Sequence, residues 1–419
     1  MRDRDKRKAL LIVGVLAVLL CACSACKKEE GPDTPENVTL TPGSDEEQGE
    51  QKGPEQEAGL QGSYSEAPAL QALTTAGKLP SVEKRLPVKE HIYRLESISA
   101  GKYGDDVQFA VENADEMTGE LVSEGLFAYS DTGTVTPNVA KHYTVNYDFT
   151  EYTIELREGM CWSDGVPFTA DDCVFFYEKM CLPEVFGEPL GECFKVYDEK
   201  GNPQNATFRK IDTYRFEVTF PQSKPEFLTQ LIQEGGICFA PEHYYVNLLP
   251  EYMGADAAKA KASDMGFGSV EEMLRETVMK AWNMQGVPTL NPYVISEEEG
   301  KSDVTGDYYE FVRNPYYWKV DTLGRQLPYM DRLGFTRISG ESQKMLLTTE
   351  GFLSVSELAE GQIAEAEAGA KRGDYRVIIW TNALGYAVKN NLKNFPEKCP
   401  YEEVIRGIGA AHPEYWYVE

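Results

Sequence analysis

From Ala9 to Leu20 the chain is apolar without a break, ALLIVGVLAVLL. A run of about a dozen residues is too short to cross a bilayer comfortably, and it follows a basic start, so it predicts a secretory signal over residues 1–22. The pattern then inverts. Large apolar side chains almost vanish from the following stretch, which is rich in Glu, Gly, Pro and Gln. Such a segment cannot offset its ordering entropy by burial, and residues 23–87 are expected to form a disordered acidic tether. Alternation begins at Val107, where Val-Gln-Phe-Ala-Val predicts a strand. In a second strand Tyr152, Ile154 and Leu156 share one face, and Thr153, Glu155 and Arg157 the other. Asp164-Gly165 predicts a tight turn, because glycine accepts positive φ at no steric cost. Thr169 then reads as a helix N-cap, with Asp171 and Asp172 complementing the positive end of the helix dipole. Cys173, Val174, Tyr177, Met180 and Cys181 follow at spacings of three and four, giving that helix an apolar face. Ser269 to Glu272 predicts a second capping box, ahead of a face made by Met273, Val278 and Trp282. Farther on, 333–339 predicts a strand, 341–351 and 354–373 predict helices, and Tyr375 to Trp380 a buried strand. That alternation predicts a three-layer α/β unit.

Composition narrows the function classes. At 419 residues and 42% hydrophobic the chain has room for two or three domains with real cores. A net charge of −27 repels a phosphate backbone and excludes nucleic acid as a partner. Nine cysteines are an odd count and give no disulfide framework. Cys161, Cys173, Cys181, Cys193, Cys238 and Cys399 read mostly as small buried apolar residues. The four histidines, His91, His142, His243 and His412, are far apart in sequence and form no local metal-ligand pair. Neither a Gly-x-Ser-x-Gly elbow nor a phosphate loop is present. The expectation is a protein that is not an enzyme and uses no cofactor or metal.

Two resemblances sharpen this picture. Leu20-Cys21-Ala22-Cys23 resembles a bacterial lipobox, which implies cleavage before Cys23 and lipid on its thiol, with Cys26 as the second candidate. Two acyl chains would hold the protein at the outer face of the cell membrane. Three further blocks, taken in order, are similar to the family 5 extracellular solute-binding proteins, the peptide- and nickel-type receptors of ABC importers. The first is Gly125-Leu126 with Pro137-Asn138-Val139-Ala140. The second is Leu156-Arg157-Glu158-Gly159, Trp162-Ser163-Asp164-Gly165 and Thr169-Ala170-Asp171-Asp172. The third is Arg313-Asn314-Pro315-Tyr316-Tyr317-Trp318 with Leu327-Pro328-Tyr329-Met330-Asp331.

The resemblance implies an α/β, periplasmic-binding-protein-like fold of two lobes around a cleft. Lobe I would span 88–332, with an inserted subdomain at about 185–305, and lobe II would occupy 333–419. After residues 382–390 the family pattern is no longer followed, so lobe II is expected to be incomplete. The implied function is capture of an oligopeptide outside the cell and its delivery to an ABC permease in the membrane. An oligosaccharide or a metal chelate is the alternative ligand, and a non-transporting surface protein the alternative role. The loop after the first strand stands where family members bring polar groups to the cleft, which implicates Glu112, Asn113 and Asp115 in ligand binding.

Overall fold

The computed structural model describes residues 64–95, 102–104, 106–112, 123–130, 133–182, 191–303, 305–354, 356–358, 360–373, 375 and 387–388. Eight strands carry the body: β1 Asp106–Val111, β2 Ala140–Val145, β3 Glu151–Leu156, β4 Thr207–Asp212, β5 Arg215–Thr219, β6 Tyr293–Ile295, β7 Tyr308–Arg313 and β8 Arg332–Arg337. They form two four-stranded sheets, ordered β6-β7-β8-β1 and β2-β3-β5-β4. The second is antiparallel throughout, whereas β8 and β1 pair parallel in the first.

The predicted alternation holds. Val107, Phe109 and Val111 are buried along β1, as are Tyr152, Ile154 and Leu156 along β3. On the first sheet the rings of Phe109, Phe335 and Tyr309 stack across three adjacent strands, each step 5.1 Å between centroids. Cross-strand aromatic pairs add about 0.5–1.5 kcal/mol each beyond the area they bury. On the second sheet, Tyr177 stacks on Phe208 at 4.0 Å and donates its hydroxyl hydrogen to the Ala206 carbonyl. Tyr177 lies just beyond α1 (Ala170–Phe175), in a π-helical continuation over Phe176–Cys181, so the expected packing of this helix on the sheet is present. Of its apolar face, Cys173, Tyr177, Met180 and Cys181 are buried.

Both predicted caps form. The Thr169 hydroxyl accepts from Asp171 N at 3.3 Å, and the Asp172 carboxylate accepts from Thr169 N at 2.9 Å. At α2 (Val270–Met279) Ser269 Oγ accepts from Glu272 N, but the Glu272 carboxylate reaches one residue farther back, to Gly268 N. Met273 and Val278 are buried, and Trp282 extends their face into a short 3₁₀ turn. Cys173, Cys181, Cys193 and Cys238 are buried thiols and Cys161 is half-buried, all unpaired; Cys399 lies outside the described residues.

The tether boundary needs correction. Residues 64–87 are folded, with a helix at Pro68–Thr75 and Ala67, Leu70, Val82 and Leu86 buried. Arg85 is fully buried; its guanidinium contacts Glu66, the Pro315 carbonyl, and Gln326 Oε1 and the Pro80 carbonyl at 3.0 Å each. A few well-spaced apolar residues and one multiply bonded arginine anchor a segment whose average composition is polar.

Beyond β7, β8 lies between β7 and β1, although the sequence placed it at the passage to the second lobe. Helices at Glu341–Thr349 and Ile363–Gly369 follow, with Met345, Leu358, Ile363 and Ala366 packed together. The second helix is shorter than expected because Ser354 and Ser356 bond elsewhere. Ser354 accepts from Gln108 N and so extends the edge of β1, while the Ser356 hydroxyl meets Thr348. Tyr375 is described, but 376–380 of the expected buried strand lie outside the described residues.

Candidate functional site

The Trp162-Ser163-Asp164-Gly165 turn is built from local bonds. Gly165 N donates to the Trp162 carbonyl at 2.9 Å and Trp162 N to that of Val166 at 2.8 Å. Gly165 has φ +89°, and a Cβ there would come within 2.6 Å of the Tyr316 hydroxyl, so both conformation and space require glycine. Ser163 and Thr289 exchange two bonds: Ser163 N to the Thr289 carbonyl at 2.9 Å, and Thr289 N to Ser163 Oγ at 3.0 Å. The turn is thereby fixed against the segment leading into β6.

Beside it lies a cavity of about 380 Å³. Its walls come from Ser123–Tyr129, from the chain around Gly235–Pro241, from the end of α2, and from Pro288–Asn291. Two walls touch through glycine: Leu126 N donates to the Gly236 carbonyl at 3.0 Å, and a Cβ on Gly236 would fall 2.9 Å from Gly125 Cα. The lining is largely aromatic, with Phe127, Tyr129, Trp162, Phe239, Tyr245 and Trp282. Trp162 meets Phe168 and Phe239 edge-on at 5.4 and 6.0 Å, so its ring is held in place. The polar members are Ser123, Glu124, Glu234, Thr289 and Asn291, and among the described residues no Lys, Arg or His lines the cavity.

Glu124 is the deepest of these. Its side chain is fully buried, paired with Lys319 Nζ at 3.0 Å and accepting from Asn138 Nδ2 at 2.6 Å and from the Tyr317 hydroxyl. Its own N–H donates to Asn291 Oδ1 at 2.9 Å, which ties the acid to the cavity wall. Burial pushes the Tyr317 phenol well up, so it stays a donor. The Lys319 ammonium also lies 4.9 Å from the Trp318 ring centre and 5.0 Å from that of Tyr93. Arg157 approaches the same two rings and donates to the Asn138, His91 and Ala140 carbonyls; burial brings its pKa down to about 10, still charged at neutral pH. Breaking one partner of a buried pair such as Glu124–Lys319 costs about 3–5 kcal/mol, because the other charge is left stranded. The network is therefore a rigid back to the cavity.

Among the expected site residues, Glu112 directly follows β1 and is exposed, and it does not line this cavity. Asn113, Asp115 and the lipid-anchor candidate Cys23 lie outside the described residues. Sequence reasoning missed Glu124, Thr289, Asn291 and Trp282 as members of one site. The available signal was an acid, Glu124, set directly before an apolar run that resembles a family block. Among the described residues no three His, Cys, Asp or Glu side chains come together as metal ligands, and no helix is long and apolar enough to cross a membrane.

The profile of the bacterial extracellular solute-binding proteins, family 5 (middle region), matches residues 134–396. The periplasmic alpha-galactoside-binding protein of Rhizobium meliloti (strain 1021) is 29% identical over 282 residues, covering 62% of this chain and 37% of that protein. Among solved structures, the oligopeptide-binding protein OppA superposes with a TM-score of 0.65 at 24% identity, covering 76% of this chain and 49% of that one. MelB from Agrobacterium fabrum C58, in complex with stachyose, gives 0.52 at 24% identity, covering 74% and 46%. The chain thus spans less than half the length of each of these proteins. The superpositions give the fold expected from the sequence, α/β and periplasmic-binding-protein-like. With the profile covering more than half of its residues, the chain belongs to the bacterial extracellular solute-binding proteins, family 5.

Proposed function

We propose that this protein captures an oligosaccharide outside the cytoplasm and delivers it to an ABC permease, held at the membrane by lipid on Cys23. The observation that carries the ligand class is the cavity lining: aromatic rings interspersed with carboxylate, amide and hydroxyl groups, and no cation. Aromatic faces suit the apolar faces of sugar rings, and the polar groups suit hydroxyls. A peptide's terminal carboxylate would meet no counter-ion on this wall. The alpha-galactoside-binding relative and the stachyose complex agree with that chemistry. A second reading, the oligopeptide expected from the sequence, is favoured by one feature: Glu234 on the wall, which accepts from Cys193 N at 3.1 Å, is an acid that could also meet a peptide's terminal ammonium.

Binding would bias a closed state through contacts made only there. Isothermal titration of the full chain with stachyose and with a tri- and a tetrapeptide separates the readings. Heat of binding with stachyose alone supports the first. Heat with the peptides alone transfers the role to the second, and an Ala substitution at Glu234 should then weaken peptide binding.

A further inference from the structure

Four residues of the cavity wall, Ala281, Trp282, Pro288 and Thr289, also line a second cavity, of about 590 Å³. Val294 on β6 and Val312 on β7 are directly opposed across the two strands, and both half-buried side chains line this second space. Ser163, Asp164, Ser296, Glu297 and Glu298 supply oxygen atoms around it. Again no Lys, Arg or His contributes to the lining. Asp164 is paired with His243, and Glu298 with Lys301 and Arg332, so the acids are held on the rim by partners behind them.

Two of the shared residues are held firmly in place. Trp282 is stacked on Phe311 at 6.1 Å, which backs the indole and keeps it from swinging aside. Thr289 is 5% exposed, and its backbone N–H and carbonyl are both taken by Ser163. Its hydroxyl oxygen is buried and has no hydrogen-bond partner among the described residues. A buried hydroxyl left unmet is costly, and here it sits where two spaces of matching chemistry meet.

We infer that the second cavity is a further subsite of the same binding site, receiving the next units of a neutral, hydroxyl-rich oligomer. Trp282 and Thr289, which line both compartments, are the residues shared by a ligand that occupies the two. This inference rests on the oligosaccharide reading above. It adds that the protein prefers chains of several sugar units to a single sugar.

The test is a chain-length series of galactose, raffinose and stachyose, titrated calorimetrically into the full chain and into two variants that fill only the second cavity, Val294→Trp and the milder Val312→Phe. Thermal unfolding confirms that each variant is folded. Wild type should bind stachyose at least about tenfold more tightly than galactose. Both variants should lose that gain while galactose affinity stays at the wild-type value. Equal affinity for galactose and stachyose in wild type overturns the inference and leaves the oligosaccharide reading standing. So does undiminished stachyose binding by a folded variant. Absence of binding by all three sugars overturns both, and if neither variant folds, the wild-type series alone decides.

Discussion

The carboxylate of Asp172 accepts from two backbone N–H groups, those of Thr169 at 2.9 Å and Glu242 at 3.1 Å, and is 4% exposed. Burial raises its pKa from 3.8 to about 6, although both hydrogen bonds pull the other way. A carboxyl whose folded-state pKa is raised binds its proton more tightly in the folded state. Its contribution is therefore fully present below the ordinary carboxylate range and is lost as pH rises through about 6. The shift corresponds to roughly 3 kcal/mol between pH 4 and 7. Asp172→Asn removes the titration and keeps only one of the two acceptor oxygens. Urea unfolding across that range should show wild type losing roughly 3 kcal/mol relative to the variant as pH rises. A gap that does not move with pH would contradict the role given to burial at this carboxyl.

At the scale of elements, the cap on α1 is an isolated device with a predictable worth. Thr169→Ala deletes the hydroxyl that accepts from Asp171 N but leaves the Asp172 bonds, so a loss of about 1 kcal/mol is expected in denaturant unfolding. A loss near zero would mean that Asp172 alone holds the helix start. The capped helix, the Asp164-Gly165 turn and the alternation of β1 and β3 were all legible in the sequence, because each is set by residues within a few positions. What escaped is what distance hides. The parallel pairing of β1 with β8 joins Val107 to Leu333, and no local pattern announces which strand a Val-Gln-Phe-Ala-Val segment will choose. The same holds for the candidate site. Glu124 and Lys319 are 195 positions apart, and only the fold brings them together. The expected Glu112 came from its place after a strand, a weaker guide than the walls that enclose a space.

For the whole molecule, residues 64–87 pack as a folded segment against the third family block. The segment closes on the family block around Pro315 and Gln326 through Arg85, and Ser65 pairs with Arg325. If Cys23 carries the lipid, Cys23→Ser should move the protein from the membrane fraction to the medium, and Cys26→Ser should not. Retention of the Cys23→Ser protein on membranes, with release by Cys26→Ser, would reassign the anchor to the second thiol. Mass spectrometry of the mature N-terminus reads the same question directly.

The Ser65 junction also has a mechanical meaning. Ser65 N donates to the Gly324 carbonyl and Gln326 N donates to the Ser65 carbonyl, a parallel bridge between the two segments. Arg85, with its carbonyl and carboxylate partners, closes the same junction. The segment between Pro315 and Gln326 carries Tyr317 and Lys319, both bonded to Glu124, so this junction is joined directly to the back of the cavity. A change at the Ser65 junction would therefore be felt at the binding space through Glu124.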